Sequence, residues 1–300
     1  MTTASPANLF RLLLLSAIWG ASFMLIRVGA QALGPVALME ARVLLAAFFL
    51  AAVAQLLRRP LAWKGHWRHY LFIGLFNSAL PFLLFGYAAL TLSAAMLSIL
   101  NATSPLWGAL IAAVWQRAPL GGRTLAGLAL GVAGVGLLVG FDRIALQPGA
   151  GFAIAASLAA ALCYAVASNY AKSARTVEPF ANAHGSMWAA SLLIAPVLLA
   201  FPPAAPPTAG IIGIVVALGV VCTGVAYLLY FRLIDDIGAA PALTVTFLIP
   251  LFGTFFGWLF LDEPVGWHTL AGGAVVIAGT ALVTGFSPHL LAPRKEATHA

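Results

Sequence analysis

The residues of this chain whose types suit chemistry are few and mostly uncharged. Asn77, Ser78, Ser98 and Asn101 stand in its first half, and Thr223, Thr244 and Thr246 in its second. Trp19, Phe82, Tyr164 and Tyr227 stand within the same apolar runs. This set holds no paired acids, no nucleophile beside a base and no H-E-x-x-H, the groups that bond-making chemistry requires. Amides, hydroxyls and rings can instead hold an amphipathic molecule: the polar groups orient it and the rings cover its apolar body. Trp and Tyr usually gather at membrane interfaces, so Trp19, Tyr164 and Tyr227 at depth call for another reason. Each polar residue also has a packing role to weigh, since Ser, Thr and Asn bond neighbouring helices at about 0.6–2 kcal/mol each. Cys163 and Cys222 give neither a disulfide framework nor a metal pattern. No metal and no cofactor is expected.

Charge inside the runs is nearly absent. Glu40 and Arg42 lie near the start of the second run, and His184 is alone in the seventh. No Asp or Glu lies at a midplane. Glu40 and His184 are therefore the two candidates for coupling to protons, and facilitated diffusion or exchange is the expected mode.

The elements that position these residues follow from composition. The chain has 300 residues, 62% hydrophobic and 8% charged, against roughly 25% charged in soluble domains. Apolar runs of about 20 residues cross a bilayer as helices. Ten can be read: Leu9–Arg27, Pro35–Leu57, Tyr70–Leu90, Ala94–Trp115, Thr124–Gly140, Gly151–Ala171, Pro179–Phe201, Ala209–Leu233, Ala239–Leu261 and Trp267–Phe286. None alternates with period two, which excludes barrel strands. The first run lacks a small-residue cleavage site and reads as a retained helix. With the N-terminus cytoplasmic, twelve Lys and Arg fall on that side and only Arg27 and Arg143 on the other. This is the positive-inside pattern of a bacterial-type inner-membrane protein with both termini cytoplasmic. It accounts for the net charge of +7 without nucleic acid. Arg27 and Lys172 read as helix-end residues that snorkel to water.

A shift of 145 residues carries Pro105 onto Pro250, Gly127 onto Gly272 and Gly134 onto Gly279. Sixteen of the forty-seven positions from Ala94 to Gly140 are identical at that offset, which makes chance alignment of apolar text a poor explanation. The halves are 1–145 and 146–300, with five helices each. Five is odd, so the second copy enters the membrane from the opposite side. Inverted repeats of this kind place a substrate site at their interface near the midplane, beside interrupted helices. The paired prolines Pro105 and Pro250, with Pro81, are the expected breaks. The glycines Gly127 and Gly131 form a close-packing face for the fifth helix. The turns RAPLGG and DEPVGW are twins, and their inverted charge follows the compartment each faces. They read as topology, not as a site.

The Trp19-Gly20-x-Ser22-Phe23 segment, Arg42 and GAAPALTVTFLIPLFGTFFGWLFLDEPVGWHTLAG (Gly238–Gly272) resemble the EamA-type drug/metabolite transporter superfamily. The resemblance covers almost the whole chain. It implies ten helices and transport of small organic solutes, often export. The aromatic lining is similar to that of the aromatic amino-acid exporters of YddG type. Many members carry Glu after helix four, where this chain has Gln116 and Arg117. The expectation is thus an all-α integral membrane protein of ten transmembrane helices in two inverted repeats. Its partners would be a small-molecule substrate and the lipid bilayer, as a monomer or weak homodimer. Aromatic or other neutral amino acids fit the ring-lined cavity. Hydrophobic cations are the alternative, but a cation site calls for a membrane carboxylate. A lipid-acting enzyme would need a catalytic cluster that the spans lack, and a channel would need rings of carbonyls or charges.

Overall fold

The computed structural model describes residues 5–59, 61, 63–117, 119–142, 147–173, 177–203 and 206–285. Arg143, Arg175, Phe286, Arg294, Lys295 and the 145/146 boundary lie outside the described residues. All regular structure among the described residues is helical, because a backbone in lipid must satisfy its own hydrogen bonds. The spans are α1 Pro6–Leu33, α2 Pro35–Leu56, α3 Trp63–Ala88, α4 Ala94–Gln116 and α5 Gly122–Gly140 in the first half. The second half holds α6 Ala150–Ser173, α7 Pro179–Ala200, α8 Ala209–Ile237, α9 Val245–Leu261 and α10 Trp267–Thr284. Among the described residues nine helices are long and apolar enough to cross a membrane, and α9 is a shorter apolar one. The side of the bundle that holds residue 5 is called the N-side, and the opposite one the far side.

Local signals set the ends. The Ser5 side chain accepts the Asn8 amide at 3.3 Å and Pro6 opens α1, as an N-cap followed by proline should. Gly34, at φ 82°, ends α1 and lets Pro35 start α2 at once. The duplicated turns keep the same backbone: Arg117 and Asp262 are both left-handed, each with φ 51°. The fold therefore repeats the left-handed residue that opens each turn while its side chain changes sign.

Helix interruptions are shared too. Leu75–Ala79 in α3 and Ala217–Val225 in α8 are wound as π-helix. The 145-residue offset carries the first onto the second. In α3 the extra residue relieves Pro81, which has no N–H for the Asn77 carbonyl. In α4, Asn101 ends one segment and Ser104 starts the next, with Pro105 in its first turn. The carbonyls loosened there are taken by side chains: Thr103 Oγ1 donates to Leu100 at 2.6 Å and Ser104 Oγ to Asn101 at 2.7 Å.

Pro250 corrects the sequence reading. It sits inside the continuous α9, and the interruption comes earlier, at Leu243–Thr244. There Thr244 Oγ1 donates to Pro241 and Thr246 Oγ1 to Leu243, at 2.7 and 2.8 Å. Hydroxyls thus cap the carbonyls at both breaks, and packing against α1 and α4 tolerates the proline itself. The halves meet along α1–α9, α2–α7, α2–α8, α4–α6 and α5–α10.

Candidate functional site

The polar centre of the bundle forms around Arg42. It is the eighth residue of α2, about 10 Å along the helix from its far-side end. The side chain is buried, and its guanidinium lies 3.9 Å from the Phe82 ring centroid. Its Nε–H donates to Thr223 Oγ1 at 3.0 Å, and that hydroxyl donates to the Leu218 carbonyl at 2.8 Å. Tyr164 and Tyr227 lie close enough to interact electrostatically with the cation. Asn77 Nδ2–H donates to the Tyr227 hydroxyl at 3.0 Å, and Ser78 lies beside that hydroxyl. Phe85 stacks on Tyr164 and Phe231 on Tyr227.

These residues come from α2, α3, α6 and α8, hence from both halves. Phe82 and Tyr227 are twins at the 145-residue offset, as are Ser78 and Thr223. The π segments explain the placement. An extra residue per turn rotates the helix beyond it, and here it sets Asn77, Phe82, Thr223 and Tyr227 around one cation.

Arg42 has no carboxylate partner among the described residues. Its one hydrogen bond to a described residue uses Nε, and Nη1 and Nη2 are not among the fully enclosed atoms without a partner, so the tip of the five-donor fork faces open space. Such a group is positioned to receive a carboxylate in a bidentate fashion. Sequence reasoning noted Arg42 but did not assign it. The signal was present: it is the one basic residue deep within a run.

The other expected residues divide. Asn77, Ser78, Phe82, Tyr164 and Tyr227 are brought together. Trp19, the twin of Tyr164, packs 5.5 Å from the Tyr230 ring. Asn101 sits at the α4 break, about 10 Å from the far-side end like Arg42, with Oδ1 buried and without a partner among the described residues. Ser98, Thr244 and Thr246 hydroxyls each donate to the carbonyl three residues earlier in the chain. Ser98 is fully buried against Gly253, where an added Cβ would fall 2.6 Å from its own. These three shape helices. Glu40 and His184 face the α2–α7 contact, on the side of α2 away from Arg42. Among the described residues no cluster of His, Cys, Asp or Glu could hold a metal ion.

The far side is tied shut by a latch that the sequence reading missed. Arg27 Nε lies 2.7 Å from Glu263 Oε1, and its Nη1 donates to the Ala89 and Leu92 carbonyls. Glu263 accepts the Ala94 amide with both oxygens, at 3.1 and 2.9 Å. One cluster thus joins α1, the α3–α4 turn and the α9–α10 turn. Arg27 does not snorkel, and the turn at Asp262–Glu263 is more than a topology signal. The 145-residue offset pairs Arg27 with Lys172 and Glu263 with Ala118, so the sequence supplies no acid for a second latch of this kind. Burial matches this asymmetry. Residues 92–100 are all buried, whereas their twins include Leu243 at 47% exposure. On the N-side, ties between the halves run through Arg11–Asp236, at 2.6 Å, and Arg59–Glu178.

Burial pushes the Glu263 carboxyl above the usual range, against Arg27 and the amides of Ala94 and Ala95. The folded protein therefore holds this proton more tightly than the unfolded chain. Its stability contribution is complete below the ordinary carboxylate pKa and fades as pH rises through the raised one. The ion pair itself is lost on the way down, in milder acid than for an exposed Glu. A double-mutant cycle of Arg27→Gln and Glu263→Gln, read from thermal unfolding, should give a coupling of about 1–3 kcal/mol at neutral pH. Additive effects would remove the latch.

Ten helices in two inverted repeats, enclosing a cation and rings drawn from both halves, define a membrane transport protein. The chain matches the EamA-like transporter family twice, over residues 8–140 and 151–285, and belongs to that family. It is 23% identical over 271 residues to the uncharacterized transporter YoaV of Bacillus subtilis, covering 89% of this chain and 93% of that one. It is 22% identical over 266 residues to an uncharacterized transporter of Archaeoglobus fulgidus, covering 88% and 94%. A protein crystal structure shares the fold with TM-score 0.68 at 19% identity, over 97% of this chain and all of the other.

Proposed function

We propose that this protein carries small amphipathic solutes bearing a carboxylate and an apolar or aromatic body. Aromatic and other neutral amino acids come first among them, as in exporters of YddG type. The two repeats alternate access to a site between them, and net export is the direction expected of the family. The membrane is of the bacterial inner type, with both termini cytoplasmic, as the basic residues favour. One observation carries the reading: Arg42 is buried over Phe82 with its terminal donors unpaired. A carboxylate satisfies that fork, and the rings of Phe82, Tyr164 and Tyr227 suit an apolar body. The same cation counts against hydrophobic cations, since like charges in a low-dielectric site repel by several kcal/mol.

The test is a pair of ligands. In proteoliposomes, L-phenylalanine should be carried and L-phenylalaninamide, which lacks the carboxylate, should not. Equal flux of the two, or faster flux of the amide, would sink the reading.

A further inference from the structure

We propose that the seam between α2 and α7 is a proton pathway, and that Glu40 binds the proton that couples to transport. The coupling rests on the carrier reading above; the proton site does not. Glu40 is 6% exposed. Its Oε1 accepts the Ser191 hydroxyl at 2.5 Å, while Oε2 is buried with no partner among the described residues. An ionised carboxylate so placed carries a penalty of several kcal/mol, which a proton removes. Glu40 therefore holds a proton while the seam is dry and yields it when water reaches the acid.

The surroundings contain nothing that would fix the charge instead. Arg42 is two residues on, about 200° around the helix, and is bonded to Thr223 of α8. From α1 the titratable group on this half of the bundle is Arg27, tied to Glu263. From α3 it is Tyr87, which is exposed, and from the π segment of α8 it is Cys222. From α7 it is His184 alone. None of them is bonded to Glu40. A sodium ion would call for unwound backbone carbonyls, and both helices run unbroken past Glu40 and Ser191.

A route to water lies on the same seam. His184, Trp188 and Ser191 are spaced i, i+4 and i+7, on one face of α7. Trp188 Nε1–H donates to His184 Nε2 at 3.0 Å, and its ring meets Phe48 of α2 at 5.1 Å. His184 lines a groove of about 530 Å³ with Ala51, Ala54, Gln55, Arg58 and Arg59, at the N-side ends of the two helices. The face thus runs from this groove to Glu40, about 10 Å along α7. The twins of Glu40, His184 and Ser191 are Gly185, Met39 and Ala46. The repeat therefore supplies a symmetric seam, and the polar line occupies one diagonal of it. Sequence reasoning expected exchange or uniport because no acid stands at a midplane; an orphaned buried acid on the seam between the halves changes that expectation.

Two measurements on the reconstituted full chain test this. Infrared difference spectra at neutral pH should show a protonated carboxylic-acid band in the wild type that Glu40→Gln removes. This arm needs no solute, so failure of the substrate reading leaves it decisive. In proteoliposomes under a one-unit pH gradient, L-phenylalanine should accumulate up to about tenfold at one proton per solute, and reverse direction with the gradient. Glu40→Gln should lose that accumulation while keeping exchange at equal pH, and Glu40→Asp should restore it. His184→Gln should slow the gradient-driven flux without changing the exchange. A missing Glu40 band, or gradient-driven accumulation unchanged in Glu40→Gln, overturns the proposal.

Discussion

Arg42→Met should weaken binding of L-phenylalanine, and so slow its carriage at low concentration, by about tenfold to hundredfold while leaving the protein folded. A charge-assisted hydrogen bond contributes about 1.5–3 kcal/mol, and the substitution removes it. The fold should tolerate the change for a reason internal to the chain. The twin of Arg42 is Met187, fully buried at the equivalent place in α7. Replacing a buried unpaired cation by an apolar side chain of similar reach is also often neutral or stabilising. The expected result is a melting temperature unchanged or raised, with ligand binding weakened. That combination separates a binding residue from a structural one. Unchanged affinity by scintillation proximity or calorimetry would place the carboxylate elsewhere. A fall in both stability and binding would make Arg42 a structural residue.

The second large effect is expected where α5 crosses α10. An added Cβ at Gly127 would fall 2.7 Å from the Gly279 carbonyl oxygen, and one at Gly279 2.6 Å from that of Gly127. Gly134 and Gly272 meet in the same way, each 2.9 Å from the other's carbonyl oxygen. The offset makes Gly272 the twin of Gly127 and Gly279 the twin of Gly134. Exchanging the halves therefore carries the Gly127–Gly279 contact onto the Gly272–Gly134 contact, as a two-fold relation requires. The obstacle is backbone on both sides, so no side chain can rotate away. Gly134→Val should separate the helices and lower stability by about 1–3 kcal/mol or more. It should show as a lower melting temperature and a broadened size-exclusion peak. Gly136→Ala is the control: nothing lies within 4 Å of its added Cβ. It should be neutral, or stabilising by up to about 1 kcal/mol through helix propensity. Equal behaviour of the two variants would mean that the close approach is not what holds α5 to α10.

Much of this architecture was legible in the residues because the bilayer acts as a severe solvent. It accepts few backbone conformations, so apolar length alone marks the spans. An odd helix count per repeat then inverts the second copy. The duplicated turn is the clearest case: Arg117 and Asp262 share a left-handed backbone, and only their charges differ. Part of the polar centre around Arg42 was legible as well, since Asn77, Ser78, Tyr164 and Tyr227 carry polar groups that need partners at depth. Ser98, Thr244 and Thr246 look identical in sequence, yet their hydroxyls each donate to the carbonyl three residues earlier in the chain. Periodicity places a residue on a helix face, but a hydroxyl has a local acceptor on every face.

The sequence by itself determined the solvent, the number of spans, the inverted repeat and the scarcity of charge within the spans. Only the tertiary structure decided what the few charges do. Arg27 meets Glu263, Arg42 meets Thr223 and Glu40 meets Ser191, pairs far apart in the chain and joined across the two halves. Composition and spacing follow from each helix's own relation to lipid. A pairing depends on how helices rotate about one another, and the π turns of α3 and α8 and the breaks of α4 and α9 set that rotation.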